Sequence, residues 1–529
     1  MCKIPAARNR LIQANTKVDA ICTSSGVPGA SIGVLRNGRI FHTYNYGYTH
    51  LDTRSPTTAD TVYGIGSLTK AFIAAAIGKL IDDGKLSWDT PIHTVLPAFD
   101  HYDPDVAKSL TIADILSHRS GLSGLGAMSL AFQGDGDMLL PKSSLFSLIN
   151  HFPVSAPIRS TWEYFVRGYS LAGAVIEHVT QKPLGEFVDE IIFEPFGMHN
   201  TSFRPGDFAS TELAGPHVGL SNGSAFRLPK LQVFEDTFFE ASGGIYSSLN
   251  NMLTWASNML QSVKGPYYSI VKGAGFILSN HIAMYNPSVN ERSYGFGWMR
   301  AQLPGIVVGG NSFLWPLDKS PVLGSRTDKT LMVYHYGSTV GYQSFIAIFP
   351  EMDSAVVVLT NSMGISHAAD WIARTIIQAL LGVDDGNHYV ELASEANRRA
   401  VQGYDEMLTA LDGMRAACPT FRRRDLAAFP GNYSHDSGLF TIAISLDTDS
   451  RSGLVLRFQG LDSQAYALRH FCGDAFEWAL TFDESRKRGR YEVTAPSYYL
   501  FHFHVDGDEA ISLFWDIEGR GSPVVFKKI

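Results

Sequence analysis

The sequence predicts a mixed α/β (α+β) protein, in which a sheet covered by helices precedes a small all-β barrel. Strand signals occur at both ends of the first 382 residues with helix signals between them, so early and late strands are expected to share one sheet. After residue 429 short alternating strands are separated by turn residues, which is typical of an antiparallel barrel or sandwich.

Composition narrows the class of protein. The chain has 529 residues, of which 45% are hydrophobic and 18% charged, so it can bury a large core and is not a disordered protein. A net charge of −8 argues against nucleic acid as a partner. No uninterrupted apolar run reaches the roughly 18 residues that a membrane helix needs, so no membrane partner is expected.

The N-terminus and the cysteines predict the compartment. The first ten residues include basic side chains but no apolar segment follows them, so no secretory signal is predicted. The cysteines form no C-x-x-C pair, which favours reduced or incidental thiols over a disulfide framework. We therefore predict a cytoplasmic protein. The four cysteines are Cys2, Cys22, Cys418 and Cys472.

The first predicted elements are a hairpin and a helix. Residues 30–35 and 39–44 have strand patterns, and Asn37-Gly38 between them supplies the positive φ angles of a tight turn. Residues 68–81 are strong helix formers rich in alanine, which predicts a buried, closely packed helix. Later helix signals cover residues 111–117, 170–179, 249–260 and 368–381, and later strand signals cover 331–334, 343–349 and 355–359.

Composition shifts divide the chain into three predicted segments. Residues 1–382 form the first domain, and the polar, charge-alternating residues 383–428 form a helical linker. Residues 429–529 form the barrel, with about six to eight strands. Its clearest strand signals lie at 440–444, 454–458 and 498–504.

A serine and a lysine three residues apart stand where the alanine-rich helix begins, in Ser67-Leu68-Thr69-Lys70. This spacing puts both side chains on one helical face, a single turn apart. Serine alone is a poor nucleophile, but a buried amine whose pKa is lowered can accept its proton. Free N–H groups at the helix start can stabilise a developing oxyanion. Although S-x-x-K alone is common by chance, Ser67 and Lys70 are candidates for nucleophile and base.

Further strings accompany this pair in a fixed order along the chain. They lie at residues 26–30, 83–91, 111–122, 194–198, 242–247 and 356–361. The series resembles the serine β-lactamase and penicillin-binding-protein superfamily, nearest its class C β-lactamase and esterase branch. The resemblance implies a β-lactamase/transpeptidase-like fold for residues 1–382, with an antiparallel sheet flanked by helices plus a helical subdomain. Residues 429–529 resemble the lipocalin-like barrel that some members append.

The family's second motif, Y-x-N, corresponds to Tyr164-Phe165-Val166. The resemblance implies that Tyr164 relays a proton to the leaving group. Val166 stands where the family usually has asparagine, which removes a contact to a substrate amide. Tyr169 is the rival candidate for the tyrosine, although in the family this later tyrosine is generally a packing residue.

The family's third motif, K-T-G, corresponds to His335-Tyr336-Gly337. The H-x-G version resembles esterases, D-amino-acid peptidases and acyltransferases of the superfamily. The motif is expected on a strand that edges the site, with backbone N–H groups facing the acyl oxygen. The missing lysine removes a fixed cation for a substrate carboxylate, although a histidine can be partly charged.

Aromatic side chains complete the candidate site. Trp162, Trp298 and Tyr294 either line the acyl pocket or pack in the core, and His118 is expected to be a hydrogen-bonding scaffold residue. The predicted substrate-binding residues are His335, Tyr336, Gly337, Val166 and Trp298.

These observations predict a serine hydrolase or acyltransferase that works through an acyl-enzyme on Ser67. The expected partner is a small-molecule ester, thioester or amide, with secondary metabolism as the expected context. The alternatives are a D-amino-acid-type peptidase or β-lactamase, and an inactive binding or scaffold homologue. A homo-oligomer through the C-terminal domain remains an alternative to a monomer. No cofactor and no metal is expected, because His502 and His504 share one strand face without a third ligand nearby.

Overall fold

The structure is a computed structural model, and it describes residues 3–123, 137–265, 271, 273–285, 288–419, 424–446, 453–519, 521 and 523–529. The chain divides into two compact units. One comprises Met1–Ser123 and Phe152–Arg398, and the other comprises Gly124–His151 and Arg399–Ile529.

The helices of the described residues include both long and single-turn segments. Within these ranges, no helix is long and apolar enough to cross a membrane. In chain order the α-helices are α1 (Lys3–Ser24), α2 (Thr69–Asp82), α3 (Ile92–Val95), α4 (Pro104–Ser109), α5 (Ile112–Leu116), α6 (Leu145–Ile149), α7 (Val166–Thr180), α8 (Leu184–Val188), α9 (Glu194–Phe196), α10 (Glu240–Gly243), α11 (Leu249–Val263), α12 (Ala274–Ile277), α13 (Ala368–Leu381), α14 (Tyr389–Ala416) and α15 (Phe482–Lys487).

The strands of the first unit form one large sheet and several small ones. They are β1 (Gly29–Arg36), β2 (Arg39–Gly47), β3 (Val62–Gly64), β4 (Thr201–Ser202), β5 (His217–Gly219), β6 (Ala225–Arg227), β7 (Tyr246–Ser248), β8 (Ile282–Ala283), β9 (Arg292–Tyr294), β10 (Met299–Leu303), β11 (Gly305–Ile306), β12 (Val322–Leu323), β13 (Thr330–Thr339), β14 (Tyr342–Phe349) and β15 (Ser354–Thr360). The large sheet has eight strands in the order β2-β1-β15-β14-β13-β10-β9-β8.

The register of this sheet confirms that the early hairpin and the late strands lie side by side. β1 pairs antiparallel with β15, so that Ile32 lies opposite Val358. Both strands are buried along nearly their whole length, which accounts for their continuous apolar sequence. The mixed α/β fold with a helix-flanked antiparallel sheet is therefore confirmed.

Helices cover both faces of the large sheet. Val18 of α1 and Ile372 of α13 belong to the same buried cluster as Ile32 on β1. Gly33, whose side faces the other way, lies against α11, where a Cβ would come within 2.7 Å of Leu253. The apolar sheet is thus shielded from water on either side.

The predicted alanine-rich helix is α2, and it is confirmed as a buried, closely packed element. All of its residues from Thr69 to Gly78 are buried. Its one large aromatic side chain, Phe72, stacks on Trp255 at 4.1 Å between ring centroids. A helix held this firmly keeps its N-terminal turn, which carries the candidate nucleophile, in one position.

The C-terminal strands form a closed eight-stranded barrel, as predicted. Aromatic side chains fill its interior: Trp515 packs 5.4 Å from Phe458 and 5.3 Å from Phe501, measured between ring centroids. Such packing stabilises a small barrel through buried apolar area. The strands are β16 (Gly431–His435), β17 (Thr441–Leu446), β18 (Leu454–Phe458), β19 (Ala465–Cys472), β20 (Ala475–Glu477), β21 (Leu500–Asp506), β22 (Glu509–Trp515) and β23 (Val524–Lys528).

The two histidines weighed as metal ligands lie on β21. His502 and His504 are exposed, and they alternate with the buried Phe503. In the part of the chain that the structure describes, no group of three histidine, cysteine or acidic side chains is arranged to hold a metal ion.

The expectation of unpaired thiols is wrong for two of the cysteines. Cys418 and Cys472 form a disulfide, with their Cα atoms 5.9 Å apart. They are 54 residues apart in sequence, and only the packing of the segment after α14 against the end of β19 brings them together. Cys22 is free and buried, and Cys2 lies outside the described residues.

Candidate active site

The candidate nucleophile Ser67 lies on a short 3₁₀ turn, Gly66–Leu68, that leads directly into α2. Ser67 is half-buried. The turn is pressed against β13, because a Cβ at Gly66 would lie 2.9 Å from the backbone nitrogen of Ser338 and Gly66 has φ +53°. Glycine is therefore required at this point. Ser344 Oγ also donates to Ile65 O at 2.7 Å, which fixes the residue before the turn.

Lys70 lies one helical turn after Ser67 and is buried. Its Nζ is 2.9 Å from Ser67 Oγ and donates to Ser242 O at 2.7 Å. The rings of Tyr164 and Tyr169 lie 5.2 and 5.5 Å from the same nitrogen. Burial lowers the pKa of Lys70 to about 7. A substantial fraction of Lys70 is therefore a neutral amine near neutral pH, able to accept a proton from Ser67.

The two candidate tyrosines have different surroundings. Burial raises the pKa of Tyr164, against a smaller opposing effect of its hydrogen bond with Ser67. Tyr164 is therefore a phenol at neutral pH and can donate a proton. Tyr169 is fully buried, and its hydroxyl donates to Leu116 O at 2.7 Å. The phenol of residue 169 is therefore engaged with Leu116, whereas the ring of Tyr164 lies 5.2 Å from Lys70 Nζ, beside Ser67.

The third motif runs along β13 beside the nucleophile turn. At Gly337 a Cβ would lie 2.2 Å from Ile65 O, so a side chain there would push the strand away from Ser67. Tyr336 is half-buried, and its ring lies edge-on to His367, 5.5 Å between centroids. His367 also lies 3.1 Å, through Nε2, from Gly337 O. The strand is therefore held on both sides at the motif.

His335 is not the partly charged group that the sequence suggested. Burial, aided by the nearby charge of Lys70, lowers the pKa of His335 to about 3. Its Nε2 lies 3.1 Å from the Tyr294 hydroxyl, and its Nδ1 lies 2.6 Å from Tyr336 O. His335 is therefore neutral and already hydrogen-bonded, and it supplies no cation for a substrate carboxylate.

Two other predicted substrate-binding residues differ in exposure. Val166 begins α7 and is 8% exposed, next to the Tyr164 segment. Trp298 is 0% exposed, so its ring has no surface on which a ligand could lie. Its predicted alternative role in core packing is the one the structure supports. Trp162 is half-buried, with its ring centroid 6.1 Å from that of Tyr164.

Sequence reasoning missed several contacts of the site. Ser242, which lies in one of the quoted strings, contributes its carbonyl to Lys70. His118 Nε2 lies 3.2 Å from the Tyr294 hydroxyl, which agrees with its expected scaffold role. No motif in the sequence marked His367. It lies directly before α13 and caps this helix, because its Nδ1 accepts a hydrogen bond from Asp370 N at 3.2 Å. Its position before a predicted helix was the only signal for it in the sequence.

Known proteins resemble the chain in sequence and in fold. The Beta-lactamase family model matches residues 9–379. An unguisins hydrolase of Aspergillus campestris is 26% identical over 431 residues, which cover 77% of this chain and 73% of that protein. Penicillin-binding protein 4 of Amycolatopsis lactamdurans is 30% identical over 203 residues, which cover 38% of this chain and 52% of that protein.

A solved structure matches over nearly the whole length. The octameric penicillin-binding protein homologue from Pyrococcus abyssi has a TM-score of 0.56 at 21% identity, covering 99% of this chain and 100% of that one. This likeness shows the fold. The family model, which spans most of the chain, establishes that the protein belongs to the beta-lactamase family of serine hydrolases.

Proposed function

We propose that the protein is a serine hydrolase that forms an acyl-enzyme on Ser67 and acts on a neutral ester, thioester or amide. The observation that carries the proposal is the buried Lys70 amine, 2.9 Å from Ser67 Oγ, with its pKa lowered to about 7. A nucleophile beside a largely neutral base can be activated at physiological pH. Retention of this geometry argues against an inactive scaffold.

The steps of the proposed reaction follow from the protonation states of Lys70 and Tyr164. Ser67 Oγ attacks the acyl carbonyl carbon while its proton passes to neutral Lys70, and the carbonyl oxygen becomes an oxyanion. We assign the stabilisation of that charge to the backbone N–H groups of Ser67 and Ser338, because the Ser338 nitrogen lies close to Gly66 of the nucleophile turn. Tyr164, protonated, donates to the leaving group and recovers a proton from Lys70. Water then attacks the acyl carbon and gives a proton to neutral Lys70. The bond between that carbon and Ser67 Oγ breaks, Ser67 Oγ takes the proton back from Lys70, and the acid is released.

The substrate class follows from the charges around Ser67. His335 is neutral, and Val166 offers no amide. A carboxylate or a side-chain amide elsewhere on the substrate, apart from the bond that is cleaved, would lose water there without gaining a partner, which weakens binding. Hydrolysis, instead of transfer to another acceptor, is supported by the relative named as a hydrolase of unguisins.

One comparison of two substrates tests the proposal. We expect a higher kcat/KM for a short-chain p-nitrophenyl ester than for a chromogenic cephalosporin on one enzyme preparation. Ser67→Ala, the matched control, should abolish both activities while leaving the thermal unfolding midpoint nearly unchanged. A higher value for the cephalosporin would favour a β-lactamase instead. Absence of any mass shift on Ser67 with a fluorophosphonate or an activated ester would favour the scaffold alternative.

A further inference from the structure

Three buried polar side chains form a line between the second and third motifs. They come from three places in the chain: His118 follows α5, Tyr294 ends β9 and His335 lies on β13. His118 Nε2 is 3.2 Å from the Tyr294 hydroxyl, which is 3.1 Å from His335 Nε2. His118 and Tyr294 are 0% exposed and His335 is 1% exposed, so water does not compete for these hydrogen bonds.

At the His118 end, a backbone amide determines which ring nitrogen carries the hydrogen. Phe165 N–H donates to His118 Nδ1 at 3.0 Å, so this nitrogen is an acceptor. Burial holds the pKa of His118 well below its ordinary value, and the ring is neutral. The single ring hydrogen therefore lies on Nε2, which donates to the Tyr294 oxygen.

At the His335 end, a backbone carbonyl determines which ring nitrogen carries the hydrogen. His335 Nδ1 lies 2.6 Å from Tyr336 O, which can only accept, so Nδ1 carries the hydrogen of this neutral ring. His335 Nε2 is then a bare acceptor and receives the Tyr294 O–H. Both ends therefore require the same direction of hydrogen-bond donation. Each group donates to the next, from Phe165 N–H through His118, Tyr294 and His335 to Tyr336 O.

The ends of this hydrogen-bond chain are parts of the candidate active site. Phe165 directly follows Tyr164, and the His118 ring lies 4.3 Å from the Tyr164 ring between centroids. Tyr336 directly precedes Gly337, the residue whose backbone approaches the nucleophile turn. The line of side chains therefore spans from Tyr164 to the strand that lies against the nucleophile turn.

We propose that Tyr294 is a positioning residue for acylation, which sets the distance between Tyr164 and the His335-Tyr336-Gly337 strand through this one-directional hydrogen-bond chain. The proposal rests on the acylation of Ser67 proposed above. Tyr294 itself does not touch the reacting atoms and acts through His118 and His335. A protonated lysine at position 335 could only donate, and it would leave the Tyr294 O–H without the acceptor that His335 Nε2 supplies.

The experiment compares two tyrosine-to-phenylalanine variants of the full-length enzyme. Tyr294→Phe removes the centre of the chain. Tyr334→Phe is the matched control, because Tyr334 is equally buried on β13 and its hydroxyl donates to Val308 O at 2.9 Å, away from Ser67. The acylation rate constant and the dissociation constant of the ester are obtained from the rate of the p-nitrophenol burst, measured at increasing concentrations of a short-chain ester.

We expect Tyr294→Phe to lower the acylation rate constant by about tenfold to a hundredfold with the dissociation constant of the ester changed less than about threefold, as for a small misplacement of catalytic groups. Tyr334→Phe should change the rate constant by less than about twofold. Equal losses in the two variants, or an unchanged rate constant in Tyr294→Phe, would overturn the proposal. Wild-type enzyme without a burst and without a mass shift on Ser67 would instead contradict the proposed function.

A second pair of variants applies if Tyr294→Phe does not fold. His335→Gln keeps an oxygen that can accept the Tyr294 O–H, whereas His335→Leu does not. Acylation in His335→Gln should exceed that in His335→Leu by about tenfold or more. Equal rate constants in these two variants would show that the hydrogen-bond chain does not position the site.

Discussion

Replacing Lys70 by methionine should abolish acylation and also stabilise the protein below neutral pH. The side chain is fully buried, and burial lowers its pKa from 10.5 to about 7. Each pKa unit corresponds to about 1.4 kcal/mol of difference between the two protonation states. Protonated Lys70 therefore destabilises the native state by up to about 5 kcal/mol.

The pKa values of Lys70 in the unfolded and in the native protein set the pH range over which this loss of stability changes. Between pH 7 and pH 10.5 the unfolded chain binds the Lys70 proton and the native protein releases it, so the free energy of unfolding rises with pH in that window. The cost is complete below pH 7, where both states carry the proton. About half of it, roughly 2–3 kcal/mol, is removed between pH 6 and pH 9.

The Lys70→Met variant loses the hydrogen bonds of Lys70, and this loss partly offsets the gain in stability. Methionine leaves the buried Ser242 carbonyl without the donor it has at 2.7 Å, which costs about 1–3 kcal/mol. Its flexible thioether packs well against the rings of Tyr164 and Tyr169. We therefore expect Lys70→Met to be more stable than the wild type by about 2–3 kcal/mol at pH 6 and to lose that advantage by pH 9.

Urea unfolding at pH 6 and pH 9 measures both quantities. Lys79→Met on the same helix is the matched control, because Lys79 is 39% exposed and paired with Asp83 on the surface, and it should change stability by less than about 0.5 kcal/mol at either pH. A Lys70→Met protein that is less stable than the wild type at pH 6, or whose difference from it is the same at both pH values, would refute this account of Lys70.

Three further predictions concern catalysis and the barrel. kcat/KM for a neutral ester should rise through about pH 7 and then level off, because the neutral amine of Lys70 is the base; a flat profile from pH 5 to pH 9 would contradict this role. Tyr164→Phe should lower kcat by about 10²-fold and Tyr169→Phe by less than about tenfold, in steady-state assays with one ester; the reverse order would move the second motif to Tyr169. Cys418→Ser should lower the free energy of unfolding by up to about 4 kcal/mol, given its separation of 54 residues from Cys472, and wild-type protein unfolded in reductant should match the variant; a difference below about 1 kcal/mol would show that the disulfide contributes little.

The features that the sequence determined by itself are local ones. Ser67 and Lys70 could be predicted as neighbours because helix geometry brings residues three apart onto one face, whatever surrounds the helix. The turn at Asn37-Gly38 and the helix at residues 368–381 could be predicted for the same reason, since backbone preference and periodicity act over a few residues. The order of the family strings then indicated the fold around them.

The features that only the tertiary structure decided depend on residues far apart in the chain. Tyr294 and His335 are 41 residues apart, and they meet because β9, β10 and β13 are consecutive strands of one sheet. The neutrality of His335 results from its burial in that arrangement, and the pairing of Cys418 with Cys472 results from packing within the second unit. Burial and long-range contact are properties of the assembled core, which no short segment of the sequence contains.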